Sequence, residues 1–403
     1  MSIFDLENKK WKTGEWTLIN KLQWGVSEIR QLEKLLDADW FGGNGIFNDE
    51  FENKIKRFTG AKYFQSTNSG SSALEIAVQI FIQKGIWQPG DKILHPALTF
   101  PTSISAAIMA GLVPVYVDVE PGTYVISSEK MKQAFVDYPE IKGAIIPLLI
   151  GNVPDMDLLK ELLGDRPLIV DSCDTIGSQW REKEAGLYGD IFTYSFYGSH
   201  HISTFGVGGG FGTNNPEYYD LGKSLAFWGR DFDVENGDRL TSFLRRYSYK
   251  TIGFDAQMSA VQAAFGSAQM DRLPEYIGQR ASLFRKLQQL FAKHSDSVIQ
   301  PVRVSDKADP SWFCYPITLK KKSAFTREEI VNYLLDNKIE IRPVMALLPD
   351  QIPYQNVPHY IVGDIQNALD VANRGFFIPC FPMSNEQEEE YLWTLRGFLD
   401  HYE

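Results

Sequence analysis

Residues 143–173 read GAIIPLLIGNVPDMDLLKELLGDRPLIVDSC, and the fold class turns on them. GAIIPLLI is an apolar run of strand length, DMDLLKELLG repeats its leucines at helical spacing, and PLIVDSC is a second apolar run that reaches Asp171. Two strands joined by one helix pair in parallel through a right-handed crossover. The same alternation extends upstream through KYFQSTN, SSALEIAVQIFIQKG, DKILHPAL, TSISAAIMAG and VPVYVDV. Downstream, DIFTYSF and GGFGTN follow as two strands with no long helix between them. The expectation is an α/β fold with a mostly parallel sheet.

A second unit is expected after about residue 275. QRASLFRKLQQLFAKH reads as a long amphipathic helix, and SWFCYPITL and IEIRPVM as strands flanking the helix TREEIVNYLLDNK. Thr326 and Glu329 have capping-box spacing, and Ser384 and Gln387 make a similar start for the last helix. The division is residues 1–275 as a large domain with an N-terminal arm, and 276–403 as a small α+β domain.

The chain has 403 residues, 44% hydrophobic and 23% charged, with a formal net charge of -11. No long basic run is present, which argues against nucleic acid or an anionic membrane as partner. The opening MSIFDLENKKWKTGEW lacks the apolar core of a secretory leader, and the expected location is cytoplasmic. Cys173, Cys314 and Cys380 are scattered, with no CxxC pair, which speaks against a disulfide framework or a structural zinc.

Four segments fall beyond the carboxyl ends of strands, where open parallel sheets bind ligands. In NSGSS, Gly70 admits a close backbone approach, and the amides that open the next helix suit a phosphate; a serine-capped strand-to-helix turn would look the same. In PALTFPT, Phe100 could cover a flat ring or be plain core. In LIVDSCDTIGS, Asp171 ends an apolar strand and needs a cationic partner, such as a protonated pyridine nitrogen, unless it only caps the next segment. Asp174 lies three residues on and shares that cleft. In TYSFYGSHHISTFGVGGGFGTN, the adjacent His200 and His201 point in different directions, so a shared metal is not expected, whereas one imidazole can serve as a general base. Two ordinary loop histidines are the alternative.

These segments, with LIGNVPDMD, GFDAQMSAVQAAFGSAQMDRL and IEIRPVM, occur in the order and spacing of a known family. The chain resembles the sugar aminotransferases of fold type I, pyridoxal-phosphate enzymes acting on nucleotide-linked keto-sugars. That resemblance implies a lysine within SFYGSHHI for the Schiff base to the cofactor; His200 stands there, and Lys183 and Lys223 lie outside the motif. A histidine cannot form that bond, but it can carry a proton. The sequence is therefore similar to the subgroup in which histidine replaces the lysine, the 3-dehydratases of nucleotide-linked 4-keto-6-deoxy sugars, and Cys173-Asp174 matches that subgroup. One branch carries an iron–sulfur cluster whose further cysteines fall in a stretch corresponding to WGRDFDVENG. None occurs there, and the cluster-free branch acting on a GDP-linked sugar is the nearer match.

The resemblance implies a pyridoxal or pyridoxamine 5'-phosphate held without covalent attachment. Gly70, Ser71 and Ser195 would hold its phosphate, with the ring under Phe100 and its nitrogen on Asp171. His200 would act as acid and base, with His201 and Arg342 toward substrate and L-glutamate as amino donor. It also implies a homodimer in which the GFDAQM segment crosses to the neighbouring cofactor. There Asp255 replaces the usual Asn, Val207 replaces an acidic residue before the paired glycines, and PVMALLPDQ lacks the Thr-Gly-Asn of the dehydratases. The competing expectations are a sugar aminotransferase using histidine as its proton shuttle and a catalytically silent nucleotide-sugar-binding relative.

Overall fold

The apolar runs become the strands of one eight-stranded sheet: β1 (Tyr63–Thr67), β2 (Lys92–Pro96), β3 (Val113–Val117), β4 (Gly143–Pro147), β5 (Leu168–Asp171), β6 (Ile191–Ser195), β7 (Gly209–Thr213) and β8 (Tyr360–Ile361). The computed structural model describes residues 16–38, 41–232, 243 and 247–402. The N-terminal arm before residue 16 and residues 233–237 of the WGRDFDVENG stretch lie outside them.

The strand order is β1-β7-β6-β5-β4-β2-β3-β8. All pairs from β6 to β8 are parallel, whereas β7 is antiparallel to both its neighbours. β1 was expected within the parallel series; it runs in the common direction but is hydrogen-bonded to β7. The reason is local, because no helix separates β6 from β7, so the chain doubles back instead of crossing over. The intervening loop, residues 196–208, is thereby left at the carboxyl end of β6.

Side-chain alternation covers both faces of this sheet. Ile93, Ile145 and Ile169 enter one core, while Leu94, Ala144, Ile146, Leu168 and Val170 enter the other. Helices α1 (Gly70–Gln83) and α2 (Thr102–Met109) cover the first face, and α3 (Met156–Leu163) covers the second. Apolar strands buried on two sides are what a parallel sheet requires.

Helix α4 (Ala260–Ala292) starts at a capping box of Ser259 and Gln262 and continues past Pro274. It thus runs unbroken across residue 275, and the helix expected from Gln279 begins well before it; Pro274 and Gly278 interrupt the apolar spacing that marks it in the sequence. Beyond it, Val298–Ile299, Tyr315–Leu319 and Gly375–Ile378 form an antiparallel sheet. Helices α5 (Arg327–Asp336), α6 (Gln366–Arg374) and α7 (Asn385–Leu399) belong to the same part. Thr326 and Glu329 form the reciprocal capping box, and Ser384 caps α7 by accepting from the Gln387 amide. The segment IEIRPVM makes only isolated bridges, Thr17 with Ile339 and Arg342 with Phe377, in place of the expected strand. Pro343 has no N–H to extend a ladder there.

The C-terminal part interlocks with the large sheet. It supplies β8, pairs Ala308–Asp309 with Gln179–Trp180, and pairs Ala346–Leu347 with Leu98–Thr99. Among the described residues, no helix is long and apolar enough to cross a membrane.

Candidate active site

The carboxyl ends of β2, β4, β5 and β6 and the start of α1 open onto one cleft of about 850 Å³. Gly70, Ser71, Phe100, Asp171, Asp174, Ser195, His200, Val207 and Arg342 all line it.

At its base, Ser69 caps α1 by accepting from the Ser72 amide at 3.0 Å. The amides of Gly70 and Ser71 open the helix and have no partner within it. A Cβ at Gly70 would meet Ser195 Cβ at 2.8 Å and Cys173 Sγ at 2.9 Å, and one at Gly209 would meet the Gly70 nitrogen at 2.3 Å. Four chain segments therefore converge here at a separation that only glycine allows. The result is a helix N-terminus bared to the cleft, a natural anion cradle.

Asp171 closes β5 with 6% of its surface exposed. Its Oδ2 accepts from Ser103 Oγ at 2.6 Å; its Oδ1 accepts from the Cys173 amide at 3.2 Å and from Thr193 Oγ1 at 3.4 Å. Burial pushes its carboxyl above the ordinary range, against these hydrogen bonds. Among the described residues no cation sits in ion-pair contact with it. A buried carboxylate of this kind calls for a positive group from the cleft. Phe100, 54% exposed, stands at the edge of the same space.

The loop between β6 and β7 places the histidines. His200 Nε2 lies 3.2 Å from Asp174 Oδ1, and the other oxygen of Asp174 accepts from the Ile150 amide at 3.3 Å. Ile150 adopts φ of 61°, an uncommon and strained state for a β-branched residue, and in it the amide faces Asp174. His200 Nδ1 has no hydrogen-bond partner among the described residues. Its ring packs against Phe313, centroids 5.3 Å apart.

His201 was expected to face substrate, and the structure corrects this. It is buried, its Nε2 lies 3.0 Å from Ser311 Oγ and 3.2 Å from the Ser311 carbonyl, and it does not line the cleft. Burial, then the nearby Arg280 and His200, hold its imidazole well below the usual range. The adjacent histidines thus look to opposite sides of the loop. Among the described residues, no group of three His, Cys, Asp or Glu side chains could hold a metal.

Asp255 also stands outside the cleft. It is exposed, its carboxylate accepts from Gln257 Nε2 at 3.0 Å, and its carbonyl accepts from Asn68 Nδ2 at 3.3 Å. Arg342 lines the cleft, half exposed, in an ion pair with Glu340 at 2.6 Å. Lys183 and Lys223 are elsewhere, over the rings of Tyr188 and Phe232. Sequence reasoning missed Ser103, Thr193, Ile150 and Phe313. Only Ser103 carried a signal, a serine in a helix start just after Phe100.

Residues 23–394 match the DegT/DnrJ/EryC1/StrS aminotransferase family. The chain belongs to that family. Its relatives include the lipopolysaccharide biosynthesis protein RfbH of Salmonella typhimurium, 32% identical over 390 residues that cover 91% of this chain and 88% of the relative. GDP-perosamine synthase of Escherichia coli O157:H7 is 29% identical, covering 89% and 92%. GDP-4-keto-6-deoxy-D-mannose 3-dehydratase of Yersinia pseudotuberculosis is 26% identical, covering 88% and 91%. The Escherichia coli 3-dehydratase of the same name, solved with bound hydrated PLP, superposes with a TM-score of 0.86 at 24% identity over 94% of this chain and 98% of that one. The fold is thus that of the pyridoxal-phosphate-dependent aminotransferases, and the family includes both sugar aminotransferases and sugar 3-dehydratases.

Proposed function

We propose that this protein is a 3-dehydratase of a nucleotide-linked 4-keto-6-deoxy sugar, using pyridoxal/pyridoxamine 5'-phosphate held without a covalent link. The observation that carries the reading is His200 in the cleft, paired with Asp174, while no lysine is among the described lining residues. Without a lysine there is no tether for the cofactor aldehyde and no amine to displace a sugar intermediate early.

The residues present fit this cofactor on two independent grounds. The glycine-lined helix start offers amides for its phosphate, joined by Ser195, and the buried Asp171 lacks the cation that a pyridinium nitrogen would supply. Phe100, at the edge of the cleft, would cover its ring. When bound, the cofactor contributes an amine that joins the C4 ketone of the sugar and a ring that takes up electrons.

The protein's part is placement and proton movement. Asp174 Oδ1, 3.2 Å from His200 Nε2, orients the imidazole and would balance the charge it gains on taking up a proton. His200 would take up the proton released from the cofactor's methylene carbon and return it to the C3 hydroxyl, which would depart as water. Arg342, which lines the cleft, would face the substrate, and L-glutamate would restore the amine form. The same reading makes the protein a homodimer in which Asp255 faces the neighbouring subunit's cofactor phosphate. Relatives named as 3-dehydratases include one acting on a dTDP sugar and others on a GDP sugar, so the nucleotide is left open.

The test is ammonia release from GDP-, CDP-, TDP- and UDP-linked 4-keto-6-deoxy sugars with cofactor and glutamate. A dehydratase liberates ammonia and a 3-deoxy-4-keto sugar from one of them. Nitrogen retained in the sugar would make the protein an aminotransferase; no turnover with any of them would make it a silent binder.

A further inference from the structure

Two polar residues far apart in sequence, Asn20 and Arg280, meet behind the loop that carries His200. Asn20 Nδ2 donates to the carbonyl of His200 at 2.9 Å and to that of Gly198 at 3.4 Å. Its Oδ1 accepts from Arg280 Nη2 at 2.9 Å. Both hydrogens and the oxygen of this one amide are thereby used, a combination that neither a carboxylate nor an apolar side chain can reproduce.

Arg280 is 1% exposed in α4. It occupies the position that spacing assigns to an apolar residue, on the buried stripe with Tyr276, Leu283, Phe284 and Leu287. Its Nη1 donates to the carbonyls of Phe313 and Cys380, each at 2.7 Å. Phe313 is the residue whose ring packs on His200. One buried guanidinium thus ties the aromatic partner of the imidazole to the clamp on its backbone. A guanidinium placed this deep is costly even when hydrogen-bonded, and burial holds it down to about 10. An apolar residue at 280 would serve packing alone better.

Segment 17–20 also reaches the far side of the cleft. The Thr17 amide donates to the Lys338 carbonyl at 2.8 Å, and the Ile19 amide donates to Glu340 Oε2 at 2.8 Å. Glu340 is the ion partner of Arg342.

We infer that Asn20 and Arg280 are positioning residues that hold the His200 imidazole, through its backbone and through Phe313, at the geometry proton transfer needs. The inference rests on the dehydratase reading for its kinetic arm only. A displacement on the order of 1 Å costs about a hundredfold in rate.

The test compares Asn20→Ala and Asn20→Asp with the unmodified holoenzyme. Asn20→Asp keeps an acceptor for Arg280 but sets a carboxylate against the His200 and Gly198 carbonyls. The expected result is a kcat lower by about ten- to a hundredfold in both, with KM and cofactor affinity nearly unchanged. Thermal stability should fall more in Asn20→Ala than in Asn20→Asp, which keeps its partner Arg280, whereas kcat should fall in both alike, so that activity and stability part company. In parallel, the His200 imidazole Cε1–H resonance, assigned by its absence in His200→Gln, should shift in both variants. Unmoved resonances in folded variants would overturn the inference, as would a kcat that merely tracks stability. If the unmodified enzyme turns over no sugar, the dehydratase reading fails, and the resonance still decides the positioning role.

Discussion

Ser103 Oγ donates to Asp171 Oδ2 across 2.6 Å, joining the first turn of α2 to the end of β5. A hydrogen bond to a buried carboxylate is worth about 1.5–3 kcal/mol. Ser103→Ala should therefore weaken cofactor binding by roughly ten- to a hundredfold, and Asp171→Asn by more, because it also removes the charge that pairs with the ring nitrogen. Absorbance titration of the cofactor measures both. Burial already raises Asp171 above the ordinary carboxylate range, so affinity should fall on acidification sooner than for an exposed carboxylate. Tight binding in Asp171→Asn would remove Asp171 from the cofactor site.

The Asp174–His200 pair yields a second expectation. His200→Gln should abolish ammonia release while leaving the cofactor bound, since the phosphate cradle and Asp171 are intact. Asp174→Asn keeps an acceptor for Nε2–H but loses the negative charge that stabilises the imidazolium. Its kcat should drop by about 10² to 10⁴, with KM little changed. Single-turnover ammonia assays separate these effects, and full activity in His200→Gln would end the acid–base assignment.

Gly70 admits no side chain. In Gly70→Ala the new Cβ would press on Ser195 Cβ at 2.8 Å and Cys173 Sγ at 2.9 Å. Relief requires shifting the start of α1, at about 1–3 kcal/mol. The melting temperature should drop, and cofactor affinity should fall more than stability alone explains. A variant that melts lower yet binds cofactor normally would show that the cradle lies elsewhere.

Much of this site could be read in the sequence because each part has a local cause. Gly70 opens a helix, Asp171 interrupts an apolar strand, and the missing helix between β6 and β7 leaves His200 on a loop at the carboxyl edge. What escaped the sequence depends on which segments meet. His201 is a loop histidine by pattern, and only the approach of Ser311 buries it. Asn20 sits in a segment with no periodic signal, and its role follows from contacts with residues 198, 200 and 280. Arg280 did leave a trace, a charge on an apolar helix stripe, but Pro274 and Gly278 obscured the upstream half of that helix and left Arg280 in the first turn of the part that could be read. IEIRPVM has a strand's composition, yet Pro343 limits it to bridges.

Glu184 sets the last expectation. It is buried beneath the loop that carries Asp174, and its Oε1 accepts from Tyr194 OH at 2.7 Å and from the Gly177 amide at 3.1 Å. Burial nonetheless pushes its carboxyl up to about 8, and Glu52, on the far side of β1, up to about 7. Above an ordinary glutamate's 4.5 the unfolded chain releases these protons, while the folded protein keeps them. The folded state then binds more protons than the unfolded one, so stability falls as pH rises, by at most about 1.4 kcal/mol per pH unit for each group. Both groups act up to about pH 7, and Glu184 alone carries the decline from there to about 8. Glu184→Gln keeps an oxygen for Tyr194 and Gly177 but cannot ionise. Its melting temperature, followed from pH 5 to 9, should lose the part of the decline that lies between pH 7 and 8. If its curve stays parallel to that of the unmodified protein throughout, Glu184 is not the group that titrates.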